Sequence, residues 1–235
     1  MKIAVFGDSF AAGEGSTSWV SILESRFDNV TRLGRTGASL FYCYKKFIEN
    51  NHDLDACVFV VTNPGRLYHD IEEVNGPIGT FTSLNWIKQA KNSPIYQSFP
   101  DIVDAAEKYY VHLQSSYYDN TVHKLLIKEI ISLSCELNIK NIILPVSIYS
   151  DFDNYPKYYD AGFMLSKINL NEKIYYDIPE KAMEKHKRMQ NHMTDENNQI
   201  LADLLTRILQ GEELKITMEH FNFNSLSPVE IYYEL

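Results

Sequence analysis

Four residues of this chain have the types and the setting to do chemistry together. Ser9 lies in Gly7-Asp8-Ser9-Phe10, directly after a short apolar run. Gly37 lies in Gly34-Arg35-Thr36-Gly37-Ala38-Ser39, and Asn63 in Thr62-Asn63-Pro64-Gly65. His192 opens His192-Met193-Thr194-Asp195-Glu196-Asn197. A serine hydroxyl is a weak nucleophile until a base takes its proton. Its attack on an ester creates an oxyanion, which preorganised donors must hold. Gly37 has no side chain, so its N–H can approach a substrate closely. Asn63 carries an amide donor, and His192 is the side chain that exchanges protons near neutrality. The chemistry on offer is attack by serine on an acyl group.

Each residue alone has a plainer reading. Ser9 after a strand is a common helix N-cap, and Asp8 can shape the turn or cap it. Asn63-Pro64-Gly65 is ordinary turn chemistry. A lone histidine is more often a surface residue than a catalyst. The order of the four, each beside a particular element, carries more than any one of them.

The elements that must position them alternate along the chain. Ile3 to Phe6 reads as a buried strand, Ser18 to Arg26 as a helix with Trp19, Ile22 and Leu23 on one face, and Val30 to Leu33 as a strand. Leu40 to Ile48 has helical spacing. Ala56 to Val61 (Ala-Cys-Val-Phe-Val-Val) is β-branched, aromatic and continuous, hence a strand, stopped by Asn63-Pro64-Gly65. Asp101 to Gln114 and Val122 to Leu137 read as helices, the second with Leu125, Leu126, Ile130 and Leu133 on one side. Asn141 to Val146 is a further strand, whose pairing Pro145 should end. The last helix starts at Thr194 as N-cap, with Asp195 and Glu196 in its first turn, and stops at Gly211. Strands alternating with helices imply an α/β fold with a parallel sheet covered on both faces. Ligands in such sheets bind at the carboxyl ends of the strands. Ser9, the Gly34–Gly37 loop and Asn63 all fall at such ends.

Bulk properties narrow the setting. The 235 residues suit a single domain spanning 1–235, with aromatic-rich insertions at 66–120 and 147–180 on the substrate side and a tail over 212–235 lying along the surface. Hydrophobic residues make up 45% and charged residues 23%, an ordinary globular balance. A net charge of −9 disfavours nucleic acid as a partner. Cys43, Cys57 and Cys135 are odd in number, share no ligand spacing and imply no disulfide framework. His186 and His192 form no metal-ligand spacing. The first residues lack the pattern of a secretion signal, and no segment has the length of a membrane span, so a cytoplasmic location is expected. The tyrosine pairs at 109–110, 117–118, 158–159 and 175–176 suit either a glycan-binding cleft or core packing with a wet hydroxyl.

The four segments, in this order, resemble the blocks of the SGNH/GDSL hydrolase family over residues 1–70 and 185–210. The resemblance implies a flavodoxin-like three-layer α/β/α sandwich without metal or cofactor. It implies Ser9 as nucleophile and His192 as general base and then acid. It implies an oxyanion hole made by the N–H groups of Ser9 and Gly37 and the side chain of Asn63. Two departures stand out. The family's aspartate three residues before the histidine is replaced by Met189, which leaves a Ser9–His192 dyad with a backbone carbonyl, or less naturally Asp195 or an acid of the middle region, to orient the imidazole. Thr62 and Pro64 flank Asn63 where the family usually has Gly-x-Asn-Asp. The expected activity is removal of a short, acetyl-like group from a carbohydrate or other small-molecule ester. The alternatives are O-acyl transfer by the same acyl-serine, and a binding protein on a hydrolase scaffold, which the missing acid motivates.

Overall fold

The computed structural model describes residues 1–13, 16–69, 80–81, 83–92, 94–145, 159–160, 193 and 195–222. Its centre is a five-stranded parallel sheet. The strands are β1 (Lys2–Phe6), β2 (Asn29–Arg32), β3 (Ala56–Val61), β6 (Lys140–Pro145) and the short β7 (Tyr159–Asp160), in the order β2-β1-β3-β6-β7. This is the doubly wound order in which the chain steps outward one way from β1 and then returns to build the other half. In register, Val5 pairs with Arg32 on one side and Val58 on the other, and Val61 pairs with Pro145 where the ladder ends.

All six residues of β3 are buried, as a strand covered on both faces requires. Alternate side chains serve opposite layers. Ile3, Val5, Val58, Val60, Ile142 and Leu144 point to a core closed by α2 (Trp19–Arg26) and α8 (Asp195–Leu209). Ala4, Phe6, Cys57, Phe59, Val61 and Ile143 point to a core closed by α3 (Leu40–Asn50) and α7 (Ser116–Glu136). In that second core Phe6 stacks on Phe59 with centroids 4.6 Å apart, and Phe47 meets both edge-on. Burying one such ring contributes roughly 2–3 kcal/mol. The architecture is a three-layer α/β/α sandwich.

The middle of the chain holds structure that hydrophobic spacing does not announce. A two-stranded antiparallel ribbon, β4 (Leu67–Tyr68) with β5 (Thr80–Phe81), is followed by α4 (Leu84–Ala90), α5 (Pro94–Gln97) and α6 (Pro100–Lys108). Pro94 and Pro100 open helices, where a missing N–H is harmless and the fixed φ is already helical. This lobe has a core of its own, formed by Phe81, Ile87, Ala90, Tyr96, Val103 and Ala106. The helix expected over 101–114 changes pitch at Tyr109, where residues Tyr109–Leu113 form a π-helix. Helix α7 starts at Ser116, six residues ahead of the expected Val122, with Ser115 accepting from the Tyr118 N–H as its cap. Its buried face is set by Ile127, Ile130 and Ile131, with Leu126 and Leu133 beside it, while Leu125 is exposed.

Past α8, Gly211 takes φ +103, and the chain turns back. Ile216 and Phe221 are buried in the core under α2 and α8 and anchor the described part of the tail, whose Glu212, Glu213, Lys215 and Glu219 are exposed. Asn197, fully buried, holds that return by bonding both the N–H and the carbonyl of Asn222. No described helix is long and apolar enough to cross a membrane.

Candidate functional site

Strand β1 delivers Ser9 through two residues with no freedom. Gly7 adopts φ +152, and a Cβ there would stand 2.5 Å from the Cβ of Val60 and 2.8 Å from that of Ala11. Asp8 is 2% exposed, and its Oδ1 accepts from the Phe10 N–H at 3.1 Å, capping the short helix α1 (Ser9–Ala12). Ser9 is the first residue of that helix and is half-buried. Two long-range bonds fix α1. The indole Nε1–H of Trp19 donates to the Phe10 carbonyl at 2.7 Å, and the Arg32 guanidinium donates to the Ala12 carbonyl at 3.1 Å.

The glycine loop continues alongside. The N–H groups of Leu33 and Arg35 donate to the carbonyls of Val5 and Gly7 at 2.8 and 2.9 Å, which carries the β1–β2 pairing past the end of β2. The Ala38 N–H then closes a turn on the Arg35 carbonyl at 2.9 Å, with Gly37 at φ +76 in its third position. A side chain is disfavoured at that φ. Gly34 has a different duty, because a Cβ there would stand 2.5 Å from the backbone of Ala11. One glycine lets the loop lie against α1, and the other lets it turn.

Asn63 follows β3 and is exposed, with Pro64 and Gly65 after it. The peptide before it is held from α7, since buried His123 places Nε2 2.7 Å from the Thr62 carbonyl. Burial pushes the His123 pKa below its usual value. The turn after it is held from the lobe. The Tyr110 hydroxyl lies 2.7 Å from the Gly65 carbonyl and 2.5 Å from that of Phe81, and it accepts from the Leu67 N–H at 3.3 Å. Asp119, 7% exposed, accepts from the Tyr109 hydroxyl at 3.0 Å and from Gln114 Nε2 at 3.3 Å. Its Oδ2 would meet a Cβ at Gly65 at 2.9 Å, so the wall of the site touches this turn directly. Between them opens a cleft of about 510 Å³ whose lining includes Asn63, Arg66, Gln114, Ser116, Asp119 and Asn120.

Arg66 joins these loops. One guanidinium nitrogen meets the Asp8 carboxylate at 3.0 Å, and another donates to the Ala38 carbonyl at 2.8 Å. Asp8 is therefore neither a free anion nor turned away; it caps α1 and pairs with Arg66. Nothing in the spacing of the sequence singles out Arg66, because its two partners are 58 and 28 residues away. The tyrosine pairs divide. Tyr109 and Tyr110 are half-buried with bonded hydroxyls, and burial pushes both pKa values up to about 12. Tyr117 and Tyr118 are exposed.

The structure thus brings Ser9, Gly37 and Asn63 to one edge of the sheet. His192, Met189, His186 and the expected N-cap Thr194 lie outside the described residues. Met193, next to His192 in sequence, is described and buried in the α2–α8 core. Asn198 Nδ2 donates to its carbonyl at 3.1 Å, while Asn198 Oδ1 accepts from the Trp19 N–H at 3.0 Å. Trp19 is the residue that also bonds Phe10, so Met193 and the Ser9 helix share one anchor. Asp195, at the start of α8, is exposed. Among the described residues no three of His, Cys, Asp and Glu gather to hold a metal ion.

No family model matches this chain, and no curated protein matches it. Among solved structures, one similar chain is a protein from Desulfitobacterium hafniense DCB-2 assigned to the lipolytic G-D-S-L family, 13% identical with a TM-score of 0.46, covering 88% of this chain and 98% of its own. Another is an acetyl xylan esterase, 14% identical with a TM-score of 0.44, covering 88% of this chain and 99% of its own. Likenesses this loose carry nothing about activity, and the architecture stands on its own strand order and layers.

Proposed function

We propose that the protein is a serine ester hydrolase of the SGNH/GDSL kind, distant from others of that family. The observation that carries this reading is that Ser9, Gly37 and Asn63 each follow the carboxyl end of one of the adjacent parallel strands β1, β2 and β3, the edge where doubly wound sheets take their ligands. The shared anchoring of the Ser9 helix and Met193 by Trp19 and Asn198 supports His192 as the partner base.

In this mechanism Ser9 Oγ attacks the ester carbonyl carbon while His192 takes the hydroxyl proton. The tetrahedral oxyanion is held by the N–H groups of Ser9 and Gly37 and by the Asn63 amide. The carbon–oxygen bond to the alcohol breaks, and His192 returns the proton to the leaving oxygen. Water, deprotonated by His192, then attacks the acyl carbon, the bond to Ser9 Oγ breaks as His192 returns the proton to that oxygen, and the carboxylic acid leaves. A backbone carbonyl takes the place of the absent acid in orienting the imidazole. The cleft beside Asn63 is lined by amide, hydroxyl, carboxylate and guanidinium groups, which suits a short acyl group on a hydrogen-bonding alcohol such as a sugar. The test is p-nitrophenyl acetate turnover by the wild type, Ser9→Ala and His192→Ala. Losses of at least about 10³-fold in both variants are expected, and equal rates in all three would refute the proposal.

A further inference from the structure

The geometry points to Arg66 as a positioning residue of the oxyanion hole: its guanidinium, bonded to the Asp8 carboxylate and the Ala38 carbonyl, sets the separation of the Ser9 and Gly37 N–H groups. The inference rests on the hydrolase reading and goes one step deeper.

Asp8 immediately precedes Ser9, and Ala38 immediately follows Gly37. The carboxylate of Asp8 cannot swing, because its Oδ1 holds the Phe10 N–H while the other oxygen meets Arg66 at 3.0 Å. Ala38 is held on both sides, because its N–H closes the turn on Arg35 and its carbonyl, in the next peptide, accepts from Arg66 at 2.8 Å. A guanidinium is a planar fork with fixed angles, so two bonds to it fix the distance between the groups that make them. Arg66 springs from the loop that carries Asn63, three residues earlier. One side chain therefore references all three donors to one another, beyond the point where the sheet ladder ends. The strap is largely out of solvent, with Asp8 2% and Arg66 17% exposed in their side chains. A lysine retains the charge but has no fork with which to hold both partners at these angles.

Donors aimed at an oxyanion act on the tetrahedral state far more than on the bound ester, so misplacing them lowers kcat and spares KM. The experiment measures kcat and KM for p-nitrophenyl acetate in the wild type, Ser9→Ala, Arg66→Lys and Arg66→Ala. Rates are expressed per active site counted by fluorophosphonate labelling run to completion. Inhibition by methylboronic acid, whose adduct on serine is a tetrahedral boronate with one oxygen in the oxyanion position, is measured on the same samples. For Arg66→Lys we expect kcat to fall at least about tenfold with KM within about threefold, and the boronate inhibition constant to rise in step. Arg66→Ala, where it folds, should lose about 10²-fold. A merely structural residue would reduce the number of labelled sites and leave kcat per site and boronate affinity unchanged; that result in Arg66→Lys would overturn the inference. Equal turnover by the wild type and Ser9→Ala would overturn the hydrolase reading and this inference with it. Turnover that needs Ser9 but not Arg66 would overturn this inference alone.

Discussion

The ring of His123 on α7 donates from Nε2 to the carbonyl oxygen of Thr62 at 2.7 Å, so the helix holds the peptide that leads into Asn63. The carbonyl can only accept, which places a proton on Nε2. Burial is the main cause that lowers the His123 pKa from its usual value of 6.5. A second proton is therefore more welcome on the unfolded chain than on the folded one. The contribution of His123 to stability is complete above pH 6.5 and is lost as the pH falls from there through the folded pKa. Urea midpoints at pH 7.5 and 5.5 should fall further for the wild type than for His123→Gln, which retains a donor but does not titrate. The same pH dependence in both proteins would remove His123 from the account.

Gly7→Ala should be among the most damaging single-methyl additions in the chain. The new Cβ would lie 2.5 Å from Val60 Cβ and 2.8 Å from Ala11 Cβ, at a φ of +152 that side chains avoid. Both obstacles are core atoms with nowhere to move. A loss of about 3 kcal/mol or more is expected in urea unfolding, and a loss under about 1 kcal/mol would show that β1 and α1 can separate without cost.

Asn63→Ala should do the reverse, leaving stability intact and removing activity. The side chain is exposed, so truncation strands no buried group. If it holds the oxyanion, kcat for an acetyl ester should drop by about 10²–10³-fold with the thermal midpoint unchanged. Full activity in this variant would leave the hole with two backbone donors.

Tyr110→Phe removes a hydroxyl that accepts from the Leu67 N–H and offers its one proton to the carbonyls of Gly65 and Phe81. Leaving these part-buried groups short of a partner should cost about 1–3 kcal/mol in thermal or urea unfolding. Because the hydroxyl pins the turn after Asn63, kcat/KM should fall as well. An unchanged midpoint would mean that water replaces the hydroxyl.

The sheet was readable because its physics is local. A strand buried on both faces must be a continuous apolar run, and Ala56–Val61 is one. The three strand-end residues were readable for a related reason, since Gly37 and the Asn63-Pro64-Gly65 turn are backbone requirements written in residue type. Of the middle, the helix at 101–114 was readable, but the elements before it were not, because Pro94 and Pro100 mark loops and helix starts alike, and here they begin helices. The face of α7 was misjudged at Leu125 because the helix packs through its isoleucines, a choice made by the sheet beneath it. Arg66, Arg32 and Asn198 were invisible for a deeper reason. Their partners Asp8 and Ala38, Ala12, and Trp19 are far away in sequence, and only the closed sheet makes them neighbours.

The separate core of Phe81, Ile87, Ala90, Tyr96, Val103 and Ala106 has a consequence for how such a protein can change over generations. Substitutions that reshape this lobe are absorbed by its own packing and do not have to be accommodated by the sheet that carries Ser9. Among the described residues, the Tyr110 hydroxyl and the Tyr109–Asp119 bond link this lobe to the turn after Asn63. Under the proposed hydrolase reading, drift in the lobe would retune which alcohols fit beside Asn63 while Ser9 and its neighbours are inherited unaltered.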